Sequence, residues 1–427
     1  MVRRSILLAA LLLIPAGVPA QLPDRLDEAL RAIYERHEFA AESIGFTAWL
    51  EGGRRYTVLS RGGAQNLVAH DTETGTAEVL VRTPFAIDEY AWSSDRSRVL
   101  VFTNTRRVWR RNTRGDYWVF DVRSGASKKL GGRAPESSLM FAKFSHDGSQ
   151  VAYVRDQNLY VENLASGAIV QLTESSGDVI NGTSDWVNEE ELDLRDCFRW
   201  SPDGRQIAYW QFDTSRVERF TLINNVDSLY PTVTRFPYPK AGTTNSAVRV
   251  GVVPVGGGKT KWVKAPGDPR NHYIAAMDWV DNDTLMLQQL HRLQNTNDML
   301  LADADSGDTR RAHRDQSATW VDVSESVSWI NEAREFIWVS EKDGWRHAYA
   351  VARSGGRERL LTRFEGDLTR IDAVDSVGGR LYFTASPDNA TERYLYVSSL
   401  NGDGSVTRVT PSDQRGWHTY DVSPDGR

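Results

Sequence analysis

Trp200-Ser201-Pro202-Asp203-Gly204, followed by Gln206-Ile207-Ala208-Tyr209-Trp210, reads as the opening of a structural repeat. An aromatic residue ends one segment, a Ser-Pro-Asp-Gly turn reverses the chain, and a β-rich run follows. The pattern recurs at Trp49-Leu50-Glu51-Gly52-Gly53, Trp92-Ser93-Ser94-Asp95 and Phe144-Ser145-His146-Asp147-Gly148. Further on it returns at Trp279-Val280-Asp281-Asn282-Asp283, Trp329-Ile330-Asn331-Glu332, Val374-Asp375-Ser376-Val377-Gly378-Gly379 and Val422-Ser423-Pro424-Asp425-Gly426. Successive openings are 43, 52, 56, 79, 50, 45 and 48 residues apart. A second turn, Asp/Asn-x-x-Ser/Thr-Gly, follows many of them: Asp71 to Gly75, Asp121 to Gly125, Asn163 to Gly167 and Asp303 to Gly307. Glycine at its end accepts the positive φ of a tight hairpin.

Units of about 40–50 residues with several short strands each are the signature of a β-propeller. The expected fold is all-β. It is an eight-bladed propeller of which seven blades and the start of an eighth are present, at residues 45–427. A seven-bladed ring whose last strand completes blade one is the alternative. Because the eighth opening falls at Val422 and the sequence stops at Arg427, a truncated chain is expected.

Before the repeats, Leu26, Leu30 and Ile33 recur at helical spacing, which predicts a helical lead-in over 21–44. Residues 1–20 have the form of a signal peptide: Arg3 and Arg4, the apolar run Ile6 to Ile14, the breakers Pro15 and Gly17, and small residues before Gln21. The run is too short to span a bilayer. Export to a bacterial periplasm or the extracellular space is therefore expected. The sequons at Asn181, Asn282 and Asn389 matter only in a eukaryotic secretory host.

Composition excludes several functions. With 51 Lys+Arg against 57 Asp+Glu the net charge is −6, the wrong sign for a nucleic-acid partner. One Cys makes neither an internal disulfide nor a Cys-based zinc site. No phosphate-binding glycine loop or His-x-x-x-His motif occurs, so no cofactor and no metal are expected. Asp303, Asp305 and Asp308 coincide with a hairpin turn and lack the terminal Glu of a calcium loop.

Two intervals are long, and each holds an insert. The first, Ser175 to Asp196, contains Ser184-Asp185-Trp186-Val187-Asn188-Glu189-Glu190-Glu191-Leu192-Asp193. Asn188 can N-cap a short helix, with Glu191 closing a capping box. Neighbouring carboxylates also suit capture of an ammonium, whose three N–H donors they can share. The second insert, about Ile223 to Val250, includes Leu229-Tyr230-Pro231 and Phe236-Pro237-Tyr238-Pro239-Lys240-Ala241-Gly242. Inserts in a rigid repeat scaffold are where function is usually added.

Asp185-Trp186-Val187-Asn188-Glu189-Glu190-Glu191 resembles the double-glutamate motif of the dipeptidyl peptidase IV branch of the prolyl oligopeptidase family. Trp200 to Gly204, Pro237 to Asn245 and Ser340-Glu341-Lys342-Asp343-Gly344-Trp345-Arg346-His347 follow in the family's order. The resemblance implies an N-terminal propeller joined to a C-terminal α/β-hydrolase domain. It implies a serine exopeptidase releasing N-terminal dipeptides with Pro or Ala second. Glu190 and Glu191 would bind the peptide's α-ammonium, with Glu189 a lesser candidate. Trp109-Arg110-Arg111 resembles the family's arginine segment, so Arg110 would touch the first carbonyl and brace the glutamates. The long insert resembles a dimerisation arm.

No Gly-x-Ser-x-Gly nucleophile elbow occurs, so no catalytic residue is assigned and this chain alone is expected to be inactive. The expected partners are peptides with a free N-terminus, the hydrolase domain of the same protein and a second copy. The alternative is a non-catalytic propeller that binds a peptide or protein.

Overall fold

Three of the repeat openings fold into the same hydrogen-bonded turn. In a computed structural model of the chain, the hydroxyls of Ser93, Ser145 and Ser201 donate to Asp95, Asp147 and Asp203 at 2.7, 2.6 and 2.7 Å. The same hydroxyls accept the backbone N–H five residues on, at 3.0 Å in all three turns. These bonds hold the Asp95 carboxyl down at about 2, the Ser93 hydroxyl being the largest cause. Gly148 and Gly204 close their turns at φ 68° and 69°. Arg96, in the equivalent place, takes φ 59° without being glycine.

The structure describes residues 24–40, 45–60, 64–175, 177–324, 327–424 and 426. The expected signal peptide lies outside them. The chain divides into a unit ending at Phe46 and one from Thr47 onward. In the first, α1 (Asp24–Leu30) continues into a wider π-type turn over Arg31–Glu35. The described helix is thus shorter than the predicted 21–44, because His37 turns left-handed at φ 51° and ends it.

Among the described residues, the second unit contains one separate two-stranded hairpin and seven larger antiparallel sheets, the blades, spanning residues 48–82, 89–129, 140–171, 179–262, 272–316, 329–360 and 368–408. Six have four strands in sequence order. Six apolar clusters each join consecutive blades: Leu67 and Val81 meet Val99 and Phe120, and Ala152 and Val154 meet Phe198 and Ile207. Blade faces buried on both sides explain why the inner runs are nearly continuous in Val, Ala, Tyr and Trp.

After blade seven, the turn of an eighth repeat opening is formed. Gly426 has φ 69°, its N–H donates to the Ser423 carbonyl at 2.9 Å, and Ser423 is buried like its counterparts. Just before it, the Tyr420 carbonyl accepts from Arg370 of blade seven at 2.8 Å. Asp421 accepts from Trp49 in the first strand of blade one at 3.0 Å. Seven blades and the opening of an eighth thus agree with the all-β propeller read from the repeats.

Blade four departs from the pattern. Its strand Gln206–Asp213 pairs on one side with Ala247–Pro254 and on the other with two short strands, Val179–Asn181 and Phe198–Trp200. The segment between those two is the first insert, its neck closed by a bridge between Thr183 and Asp196. The second insert is a separate hairpin of Arg219–Asn224 and Thr232–Pro237, so it begins a few residues before the predicted Ile223.

Candidate functional site

The first insert forms α2 (Trp186–Leu192), one short helix held at both ends. Asp185 is the N-cap, accepting from the Asn188 N–H at 3.0 Å and from the Asn188 side chain at 2.7 Å. Its other carboxylate oxygen accepts from the Ser246 hydroxyl, which arrives from the far side of the second insert. The expected cap at Asn188 is corrected: the helix starts three residues earlier because Asp185 finds this second, tertiary partner. Asp193 ends the helix in the left-handed conformation at φ 51°.

The three glutamates lie about 100° apart around this helix and meet different surroundings. Glu190 is mostly buried, with 11% of its side chain exposed, and its Oε2 lies 2.7 Å from the Nε of Arg110. Arg110 is itself 78% exposed. Glu191 is exposed. Glu189 is buried, at 6% exposure, and its Oε1 has no hydrogen-bond partner. Burial, reinforced by the neighbouring charges of Glu190 and Asp193 and opposed by Arg195, pushes its carboxyl up to about 7.

Arg110 reaches Glu190 because blade two has long middle strands. Arg98–Val108 and Arg111–Asp121 have 11 residues each and project a hairpin whose tip is Trp109-Arg110. Trp109 turns the tip at φ 52°, and its carbonyl accepts from Arg107 at 3.0 Å. The structure therefore joins two sequence-predicted residues from different blades, Arg110 and Glu190.

Sequence reasoning did not find the aromatic cluster that packs this corner. The Trp109 ring lies 4.7 Å from Phe236, Trp186 lies 4.4 Å from Tyr238, and Phe220 lies 5.4 Å from Tyr238. One ring comes from the blade-two tip, one from α2 and three from the second insert. Arg219 of that hairpin also pairs with Asp178 beside the neck of the first insert. Trp109 and Trp186 sit next to the charged residues in sequence, which was the available signal.

Among these elements is a cavity of about 290 Å3. Trp109, Trp186 and Phe236 form apolar walls, and Ser184 and Glu189 also line it. Elsewhere, Asp303 uses its carboxylate to cap its own turn, accepting from the N–H groups of Asp305 and Ser306 at 3.1 and 2.7 Å. No group of three His, Cys, Asp or Glu suited to a metal occurs among the described residues. The sequon residue Asn181 is buried and bonded to Ser175 and Gln211.

The family described as the dipeptidyl peptidase IV (DPP IV) N-terminal region matches residues 93–427. The chain belongs to this family. It is similar to dipeptidyl peptidase 4 of Trichophyton rubrum, with 27% identity over 400 residues, covering 89% of this chain and 51% of that protein. It is also 27% identical over 335 residues to inactive dipeptidyl peptidase 10 of Mus musculus, covering 74% of this chain and 42% of that protein. The crystal structure of Porphyromonas gingivalis dipeptidyl peptidase 4 superposes with a TM-score of 0.81 at 28% identity, covering 90% of this chain and 55% of that one. The chain thus spans about half the length of the dipeptidyl peptidase IV relatives it matches. The all-β propeller is that family's N-terminal region.

Proposed function

We propose that this chain is the substrate-selecting propeller of an exported dipeptidyl peptidase IV-like serine exopeptidase. The Glu190 carboxylate receives the α-ammonium of a peptide, Glu191 supplies the second carboxylate, and Arg110 braces Glu190 and faces the first carbonyl. Anchoring the amine fixes the second peptide bond at a nucleophile carried by an α/β-hydrolase domain of the same protein. Dipeptides with Pro or Ala second would be released through an acyl-enzyme. The observation that carries this reading is the 2.7 Å pair of Glu190 and Arg110, which brings two separate blades to one polar spot. A carboxylate at 11% side-chain exposure, already ordered by a guanidinium, loses little freedom on binding a cation.

The second-insert hairpin has a partner in this proposal, a second copy of the chain. Val226, Leu229 and Tyr230 at its tip are 88, 92 and 78% exposed, and such apolar surface favours burial in a homodimer. The test of the site is made in the full-length enzyme. Glu190→Ala with Glu191→Ala is expected to abolish dipeptide release from peptide substrates; unchanged kcat/KM would refute the assignment.

A second reading, a non-catalytic propeller that binds a peptide or protein, is favoured by one observation: a relative at 27% identity is described as inactive. A full-length protein that binds free-amine peptides without cleaving them would establish it.

A further inference from the structure

The cavity between the blade-two hairpin, α2 and the second insert is a different place from the Glu190–Arg110 contact. Glu189 lines it, whereas Glu190, Glu191 and Arg110 do not. Its charges sort into two kinds. Asp178 is neutralised by Arg219, and Asp185 is consumed by Asn188 and Ser246. That leaves Glu189, whose Oε1 has no partner, and the exposed Arg114 and Arg235, which make no ion pair among the described residues. The Ser184 hydroxyl is a second buried polar group without a hydrogen-bond partner. Buried polar atoms of this kind cost free energy until a partner arrives.

We propose that this cavity is a second ligand site that takes a small zwitterion, an α-amino acid or a free dipeptide. Its ammonium meets the Glu189 carboxylate beside Ser184. Its carboxylate meets Arg235 and Arg114, and its side chain packs on Trp109, Trp186 and Phe236. Phe236 lies 4.7 Å from Trp109 and 6.2 Å from Trp186, so the three rings form one continuous apolar wall that also favours a cation at its face. The volume of about 290 Å3 matches the lower end of small-ligand sites, near 300 Å3. The site extends beyond the peptide-binding role of Glu190. It places Glu189 on a different face of α2 with a different ligand.

The test is calorimetric titration of this chain carrying Glu190→Gln, which weakens the first site. L-leucine and the dipeptide Ala-Pro are the probes, and they separate the two sources of zwitterion. One molecule per chain of either probe is expected to bind. N-acetyl-leucine and leucinamide, each lacking one charge, are expected to bind at least about tenfold more weakly, as is the chain with Glu189→Gln or Arg235→Ala added. Tenfold corresponds to about 1.4 kcal/mol, the scale of losing one charge-assisted bond. If Glu189→Gln fails to fold, Arg235→Ala on the exposed hairpin strand gives the same answer. No binding of either probe, or binding unmoved by loss of a ligand charge or by these substitutions, overturns the proposal.

Discussion

Glu190 and Arg110 meet at 2.7 Å although they lie 80 residues apart, one on a helix inserted into blade four and the other at the tip of blade two. Because Arg110 is 78% exposed, the pair is worth little to folding, about 0–1 kcal/mol. Arg110→Ala is therefore expected to leave urea unfolding of this chain within about 0.5 kcal/mol of the parent. In the full-length enzyme the same change is expected to raise KM for peptides about tenfold, the loss of roughly 1.4 kcal/mol of positioning. Steady-state kinetics beside an unfolding curve separates the two effects.

The cap of α2 is a stability element. Asp185→Ala removes the bond to the Asn188 N–H and leaves Ser246 without its acceptor. A loss of about 1–2 kcal/mol is expected in chemical denaturation. Asp185→Asn keeps an oxygen for the helix and is expected to cost less.

Glu189 makes stability depend on pH. Its carboxyl is raised from the ordinary 4.5 to about 7 in the folded chain, so the folded state holds a proton that the unfolded state releases earlier. This group's contribution is most favourable at low pH. It is lost as pH climbs from near 4.5 to about 7, and is flat above that. Glu189→Gln, which is neutral throughout, is expected to flatten the fall of Tm across that window and to raise Tm at pH 8. A Tm–pH profile of both proteins checks this.

The repeat turns carry a backbone prediction. Arg96 sits at φ 59° where Gly204 sits at 69° in its own blade. Arg96→Gly is expected to stabilise by about 1 kcal/mol, and Gly204→Ala to destabilise by about the same amount, because only glycine enters this region without a Cβ penalty. Thermal unfolding of the two variants should move in opposite directions.

The propeller was legible because its turns repeat local chemistry. The Ser-x-Asp turns at Ser93, Ser145 and Ser201 need only neighbours to form, and an aromatic or apolar residue followed by a polar turn recurs at each opening. The site was less legible, because it is built from contacts between blades. Asn188 is a good local N-cap, yet Asp185 takes the role through Ser246, 61 residues away. Glu189, Glu190 and Glu191 are chemically identical in sequence, and only the packing of α2 decides which is buried, paired or exposed. The aromatic corner of Trp109, Trp186, Phe236 and Tyr238 likewise exists only once the blade-two hairpin meets the two inserts.

The central claim, that Glu190 receives the peptide's α-ammonium, is tested most directly by kcat/KM of the full-length enzyme on a peptide with Pro second. Wild type and Glu190→Gln are compared, and each is also assayed on the same peptide acetylated at its N-terminus. The account predicts that Glu190→Gln lowers kcat/KM at least about tenfold on the free-amine peptide, the scale of one charge-assisted bond. It also predicts that acetylation lowers wild-type activity to the same low level, with little further loss in the variant. Equal kcat/KM for wild type and Glu190→Gln on the free-amine peptide would contradict it.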